Sequence, residues 1–496
     1  MIGKCEVFAN NMYYKNFIGG RVNMESKKVV GFGGRGWLLM IYQALAYVTF
    51  QVFTQYPLNI LADLYGGAQL ISKIYSTAAI VGIVIQLLLA GVIARSRNVK
   101  AIGSVLGIIT IGLAAGIMFV PAGPLWLAIY AVINVTAVLY ATFSVGLLIG
   151  QWFPRRKGTV MGIVTLAFPI ANGLLGPFAN KVFGTMIQVG PSPSDVMPAV
   201  FAGDHMPIVM AFLPFFIISI VGWLIGLIFI KDYPEQVGAF RDNDRSFTPE
   251  MAQQMMLAEI ENKRTSVWTL PKVLATRDFW FGVIPVGFLL TFSIGVMTQT
   301  KAIFATQDLS FLGASDNGYT TLMFLIMIFG CVGSLILGFI DTRIGTKKAI
   351  LITTVIMILA GILGATRTPG GLVVGMICLA LFMGASSNFG VSLACQYWRR
   401  EDFGRIFTAT SPIGNIISSL GPTIIATALY MHGAMPDETG AVIPLDAAPV
   451  FIVVLCAGII SFICMMLFSP KHIIKVDNMR REKAGKPIDD ELVGRK

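Results

Sequence analysis

The stretch QWFPRRKGTVMGIVTLAFPIANGLLGP (Gln151–Pro177) returns late in the chain as QYWRREDFGRIFTATSPIGNIISSLGP (Gln396–Pro422). Both copies begin with glutamine and an aromatic pair and pass two arginines to reach a glycine. Each then enters an apolar run that contains Pro-x-x-Asn and, later, Gly-Pro. The two starting glutamines are 245 residues apart in a chain of 496. This spacing indicates a duplicated unit that occupies about half the chain.

The composition places the chain in a membrane. Hydrophobic residues make up 55%, charged residues only 13%, and the mean hydropathy is +0.75, which leaves too little polar surface for a soluble globule of this size. A helix needs about 20 apolar residues to cross the hydrocarbon core. Twelve stretches qualify, at 37–58, 70–93, 101–120, 125–150, 159–180, 208–230, 280–301, 317–340, 349–366, 372–396, 406–430 and 448–468.

The basic charge follows the predicted topology. If both termini are cytoplasmic, 33 of the 37 lysines and arginines fall on the cytoplasmic side, as the positive-inside rule requires. The net charge of +11 is therefore a topology signal, and we expect the lipid bilayer, not nucleic acid, as its partner. We expect a multi-pass protein of the plasma membrane, namely the inner membrane of a bacterium.

Six spans, a long polar break and six more spans give the layout. The predicted segments are a cytoplasmic tail (1–36), an N-terminal bundle (37–231), a cytoplasmic linker (232–279), a C-terminal bundle (280–468) and a second cytoplasmic tail (469–496). Within the linker, Thr248, Pro249 and Glu250 form a helix start signal. Met251 and Met255 lie four residues apart and fall near one face of the helix that follows, which predicts a short amphipathic helix tethering the two bundles.

Other stretches extend the pattern. KDYPEQVGAF follows the sixth span, LPKVLATRDFW leads into the seventh, and GFIDTRIGTKK (338–348) follows the eighth. Together with WFPRRKGTVMG, they resemble the major facilitator superfamily, in particular its branch of oxalate/formate-type and monocarboxylate-type carriers. The resemblance implies an all-α membrane protein with twelve transmembrane helices in two six-helix bundles related by a parallel pseudo-twofold. It also implies a substrate site between the bundles and no cofactor.

The same motifs supply candidate gating residues. The family motif after the second helix of each bundle has the form G-x-x-x-D-R-x-G-x-K-K. In GFIDTRIGTKK the acidic residue stands one place early relative to this motif, and the copy after the second span, GVIARSRNVK, has arginine in place of the acid. Only the second copy is therefore expected to form an inter-helix charge latch. The repeat's arginines also read as topology determinants, and its prolines as residues that bend and pack helices. The gating candidates are Asp341, Arg343, Gly345, Arg155, Arg156, Arg399, Arg400, Pro169 and Pro412.

Few charges enter the predicted spans. No Asp or Glu lies in the middle of a span, no P-loop pattern is present, and all three histidines fall in loops or the tail. Two lysines, Lys73 and Lys301, lie within spans. A buried cation in a path without acids favours an anionic substrate. Alternatively, both lysines extend their ammonium groups to the outer headgroups.

A polar stripe marks the first span. Gln43, Tyr47, Gln51 and Gln55 recur every four residues, so they share a helical face that must turn away from lipid. Both substrate contact and interhelical hydrogen bonding would explain it. Weaker candidates for substrate contact are Asn134, Tyr140, Thr298 and Asn388.

These observations predict a secondary active transporter, not an enzyme, that moves a small organic anion by alternating access. A mono- or dicarboxylate is expected, with aromatic and bile-type acids in range. The eighth and eleventh spans lack the cations of the oxalate carriers, which argues against oxalate. A coupling proton or an exchanged anion would supply the energy to a monomeric carrier. The alternatives are an antiporter that exports amphipathic drugs against protons, and a membrane sensor that has kept the carrier fold.

Overall fold

The computed structural model describes residues 31–486 and 488, with gaps at 62–63, 65–66, 96–97, 154–155, 184–185, 189–195, 199–204, 245–249, 251–252, 255–256, 258–265, 400–401 and 432–444. Within these residues it contains twelve helices long and apolar enough to cross a membrane. They are numbered α1 to α12: Gly34–Asn59, Ala68–Leu88, Val99–Phe119, Pro124–Ala141, Gly158–Phe183, Met206–Phe229, Arg277–Met297, Tyr319–Ile344, Thr346–Gly364, Pro369–Tyr397, Arg405–Leu429 and Ala448–Leu467. The predicted all-α fold is confirmed.

Successive spans cross in opposite directions, which defines two faces of the molecule. The terminal face holds the start of α1, the end of α12 and the linker between the bundles. The distal face holds the α1–α2 and α7–α8 connections. Between α5 and α6, on the distal face, two short antiparallel strands, β1 (Met186–Gln188) and β2 (Val196–Pro198), pair with Ile187 opposite Met197.

Several spans are interrupted near their middle or at one end. The α1 helix changes to a π-helical turn at Gln51–Gln55, and α4 does so at Val138–Ser144. The regular helix of α10 breaks at Phe382 and that of α11 at Leu420. Such breaks release backbone groups that neighbouring helices must satisfy, so in membranes they occur where helices face protein or a cavity.

The two bundles meet along two helix pairs. The α5 helix packs against α8, and α2 packs against α11. Glycines allow close approach in the first pair: a Cβ at Gly330 would lie 2.6 Å from the Pro169 Cβ, and Gly162 and Gly338 face each other. Residues such as Ile228 and Ile463 are exposed on the outer surface, which suits contact with acyl chains.

Two terminal-face segments lie against the bundles. In the linker, the Asp242 carboxylate accepts the Arg156 backbone N–H at 3.0 Å, and Arg241 and Glu235 form an ion pair at 2.6 Å. Desolvation raises the pKa of Asp232, although the backbone N–H of Lys100 opposes this by donating to its carboxylate. The predicted amphipathic helix after Thr248 falls largely on residues outside the described ones.

The segment after α12 differs from the simple tail that the sequence suggests. Residues Pro470–Lys483 form a helix, α13, which buries Ile473, Asp477 and Arg481 against the C-terminal bundle. Asp477 pairs with Arg399 at 2.7 Å and with Arg481 at 3.2 Å. An arginine of the second repeat copy is therefore tied to the C-terminal helix.

Candidate functional site

A cavity lies between the bundles at mid-depth, lined by residues from the middle of the spans on both sides. It is bounded by α1, α2, α4 and α5 on one side and by α7, α10 and α11 on the other. Its polar lining residues are Tyr47, Gln55, Tyr75, Ser387, Thr410, Ser411, Asn415, Ser418 and Ser419. Its apolar lining residues are Phe50, Ala79, Ile83, Val138, Met161, Phe168, Val286, Leu290, Ile294, Gly390, Val391, Phe407 and Gly414.

The largest polar contribution comes from α11, which sequence reasoning missed. Thr410, Gly414 and Ser418 recur every four residues, as do Ser411, Asn415 and Ser419, so the two series form one continuous helical face. We call it the α11 stripe. Asn415, the asparagine of the second Pro-x-x-Asn pattern, is one of these lining residues. The four-residue spacing that identified polar positions in the first span also identifies this stripe in the eleventh.

The stripe predicted in α1 is divided by the π-helical turn. Tyr47 and Gln55 line the cavity, and the Tyr47 ring packs on Phe168 with 4.8 Å between centroids. Gln43 instead donates to the Ala141 carbonyl of α4 at 2.9 Å, while Gln51 is buried but is not a lining residue. A π turn adds a residue to the helical repeat, so positions four apart no longer share a direction across Gln51–Gln55.

The weaker polar candidates lie in the packing around the cavity. Asn134 donates to the Tyr130 carbonyl at 2.6 Å, and Thr298 donates to the Gly295 carbonyl at 2.7 Å. Tyr140 packs beside Tyr42 at 6.2 Å between ring centroids. None of the three is a lining residue.

Asn388 has a different role, because it joins the bundles. Its amide donates to the Thr165 hydroxyl at 3.0 Å, and both side chains are buried. Thr165 lies where α5 is interrupted, between Lys157–Val164 and Ala167–Phe183. Asn388 therefore bridges α10 and α5 beside the cavity.

The two lysines are not brought to the cavity. Lys73 and Lys301 are both exposed, and neither is a lining residue. The regular part of α7 ends at Met297, and a turn precedes the short helix Thr300–Phe304. As a result the Lys301 backbone N–H faces the other bundle, donating to Asn59 at 3.3 Å, while its side chain stays exposed. All the lining residues are described ones, and none of them is Asp, Glu, Lys, Arg or His.

The gating candidates show no acid–arginine latch among the described residues of the α8–α9 turn. Asp341 is buried and accepts from the Thr346 hydroxyl at 2.6 Å, while Arg343 is exposed and lies over the Phe339 ring of its own helix at 4.9 Å. Gly345 has φ 92, a left-handed conformation that suits glycine. Pro412 is buried within α11. Arg155 and Arg400 lie outside the described residues.

Hydrogen bonds join the bundles on the distal side of the cavity. The Asn59 amide donates to the Thr300 hydroxyl at 2.8 Å, and the Ser76 and Thr423 hydroxyls lie 2.7 Å apart. The Tyr56 and Tyr319 hydroxyls approach to 3.4 Å. These pairs join the distal ends of α1 and α2 to α8, α11 and the short helix that follows α7, so the bundles are held together on that side of the cavity.

The fold and the interbundle cavity agree with the family comparison. Residues 38–422 match the model described as Major Facilitator Superfamily. The chain belongs to the major facilitator superfamily. Among curated proteins, none matches the sequence.

Solved structures of this superfamily share the fold at low sequence identity. The proton:xylose symporter XylE is 12% identical with a TM-score of 0.59, covering 87% of this chain and 95% of the symporter. The human organic anion transporter MFSD10 is 13% identical with a TM-score of 0.53, covering 86% and 97%. The nucleoside transporter NupG is 15% identical with a TM-score of 0.51, covering 87% and 99%. This chain is accordingly a multi-pass membrane protein with a transporter fold.

Proposed function

We propose that the protein is a secondary transporter of a small amphipathic organic molecule that occupies the cavity without net charge. The observation that carries this proposal is the lining itself, which combines hydroxyl and amide groups with apolar and aromatic side chains and holds no ionised group. Moving an ion from water into such surroundings costs far more than moving a neutral polar group that finds hydrogen bonds.

This proposal changes the form in which an organic anion would be carried. Without a cavity cation, a carboxylate would lose its hydration and gain no opposite charge. A monocarboxylic acid fits when it carries its own proton, because the carboxyl group can then bond to the α11 stripe and Gln55. A dicarboxylate would need two protons. Aromatic acids suit the rings of Tyr47, Phe50 and Phe168.

From the same lining residues we also propose how transport is coupled to a proton. An antiporter that exchanges a drug for a proton needs a group in the pathway that titrates near neutral pH. The described lining offers only tyrosines, whose usual pKa is about 10. A proton therefore travels on the solute, as acid plus proton, and the protein supplies alternating access. This favours symport over the drug-export alternative.

Our proposal for the orientation of the protein in the membrane rests on the distribution of basic residues. The terminal face carries nearly all lysines and arginines, so we place it in the cytoplasm. Both termini are then cytoplasmic, in a plasma membrane. A monomer is sufficient for the proposed cycle, because one chain forms the whole cavity.

A thermal-shift measurement on purified protein tests the proposal. The probes are matched sets, each comprising an aromatic or bile-type carboxylic acid, its primary amide and the corresponding primary amine, all at neutral pH. A ligand that binds only the folded state raises the melting temperature. The amide should stabilise the protein at lower concentration than the acid or the amine, and Asn415→Leu should weaken that effect. Stabilisation by the carboxylate alone at neutral pH, undiminished when the pH rises, would contradict the proposal.

A further inference from the structure

One side chain near the cavity has no partner at all among the described residues. Gln86 of α2 is fully buried, and neither its amide oxygen nor its amide nitrogen has a hydrogen-bond partner. A buried amide without partners is costly in protein and more so at membrane depth. The surrounding sequence, IVIQLLLA (83–90), is otherwise apolar. A hydrophobic residue at position 86 would therefore give a more stable protein if the conformation that buries Gln86 were the only one.

The position of Gln86 connects it with the cavity. Tyr75, Ala79 and Ile83 of α2 are lining residues, and Gln86 follows them 11, 7 and 3 positions later. At about 100° per residue, all four lie within roughly 40° of the direction of Ala79. Gln86 therefore continues the cavity-facing side of α2, about one turn closer to the terminal face.

Across the bundle interface, the helix that packs against α2 is α11. The α2 helix packs along α11, where Phe407 is a lining residue near the terminal end of the cavity. A separation of α2 from α11 at this end would extend the cavity past Ile83 to Gln86 and admit water. Both amide atoms would then be hydrogen-bonded.

We propose that Gln86 lies on the route between the cavity and the terminal face and becomes hydrated when that face opens. Its unmet hydrogen bonds raise the free energy of the closed conformation relative to the open one, so the residue favours opening toward the terminal face. This rests on alternating access in the proposed function but not on the identity of the solute.

Cysteine labelling tests the proposal without a transported solute. The background is the full chain with its six native cysteines replaced, in vesicles of known orientation, and the probe is a membrane-impermeant maleimide. Lys348→Cys and Asp308→Cys, both at exposed positions, report access at the terminal and distal faces respectively. Gln86→Cys should react from the terminal face and not from the distal face. Failure of Gln86→Cys to react from the terminal face, where Ile83→Cys does react, would overturn the proposal.

A second pair of variants measures the effect on opening. With Ile83→Cys as reporter, Gln86→Met removes the amide at similar length and should slow labelling from the terminal face about fivefold or more, whereas Gln86→Asn should largely restore it. The matched control is Ser461→Ala, because the Ser461 hydroxyl of α12 is also buried with no partner in the described part of the chain and is not at the cavity. It should leave labelling unchanged.

Two results of this second experiment would also overturn the proposal. One is an equal labelling rate with and without Gln86→Met. The other is an Ile83→Cys reporter that reacts from neither face, since the route itself would then be absent. Neither result bears on which solute binds, so a failure here is distinct from a failure of the proposed substrate class.

Discussion

Replacing Asp477 by asparagine should destabilise the C-terminal bundle. Asp477 is 1% exposed and receives three hydrogen bonds: from Arg399 at 2.7 Å, from Trp268 at 2.8 Å and from Arg481 at 3.2 Å. Asparagine keeps the shape but removes the negative charge that Arg399 and Arg481 share, while Arg481 keeps its second buried partner, Asp402, at 3.2 Å. Removing one member of a buried ion pair costs about 3–5 kcal/mol, a large fraction of a total stability of about 5–15 kcal/mol.

The assay is the unfolding of purified protein, by heat and by denaturant, together with limited trypsin digestion. Asp477→Asn should lower the melting temperature by on the order of 10 °C and expose the basic residues of α13 to cleavage. The control is Arg367→Gln, because Arg367 is exposed in its ion pair with Asp446 and ion pairs of exposed side chains contribute little. A free energy of unfolding for Asp477→Asn that equals the wild type would refute the role given to this network.

Further outcomes are expected elsewhere in the chain. Lys301→Ala should leave solute binding and uptake unchanged, because its side chain is exposed away from the cavity. A clear loss of solute affinity in a binding assay would contradict this and make Lys301 part of the site. Asn59→Leu removes the hydrogen bond to Thr300 and should speed maleimide labelling of Gln55→Cys from the distal face. Gly333→Ala would place a Cβ against the Leu381 carbonyl oxygen. The free energy of unfolding, measured by thermal unfolding, should therefore fall by about 1–3 kcal/mol.

The spans were predictable because one physical quantity decides them. A helix must cover the hydrocarbon thickness with apolar residues, and that length is visible in the sequence without any tertiary information. The first span was expected at 37–58 and is found at Gly34–Asn59; the tenth was expected at 372–396 and is found at Pro369–Tyr397. The repeat likewise predicted two bundles, because each copy carries its own loop and following helix.

Side-chain directions were less predictable. The first-span stripe assumed that one face of a regular helix lines the cavity along its length, whereas Gln43 bonds to the Ala141 carbonyl of α4 and a π turn changes the register at Gln51–Gln55. Lys301 was a candidate for the pathway because it lies in a predicted span, with contact to the outer headgroups as the alternative, but the end of α7 at Met297 sets its direction. The sequence interpretation weighted charged residues and therefore did not identify the uncharged α11 stripe, although the cavity is lined by hydroxyl and amide groups.

The C-terminal helix was missed for another reason. Its sequence is polar and basic and resembles a solvated tail, whereas the burial of Ile473 and Arg481 and the bonds from Arg399 and Trp268 to Asp477 show that it packs. Such long-range ion pairs leave no periodic signal in the sequence. For the same reason, the arginines near the start of each repeat copy were interpreted as topology determinants.

The most direct measurement of the central claim is the pH dependence of binding for one carboxylic acid and its primary amide, by titration calorimetry on purified protein. If the cavity accepts only the uncharged form, the acid's apparent affinity should fall tenfold per pH unit above the acid's own pKa. At pH 7 an acid of pKa near 4.5 would then bind about 300-fold more weakly than its protonated form, while the amide's affinity stays constant. An acid affinity that holds steady from pH 5 to 8 and exceeds that of the amide would contradict the account.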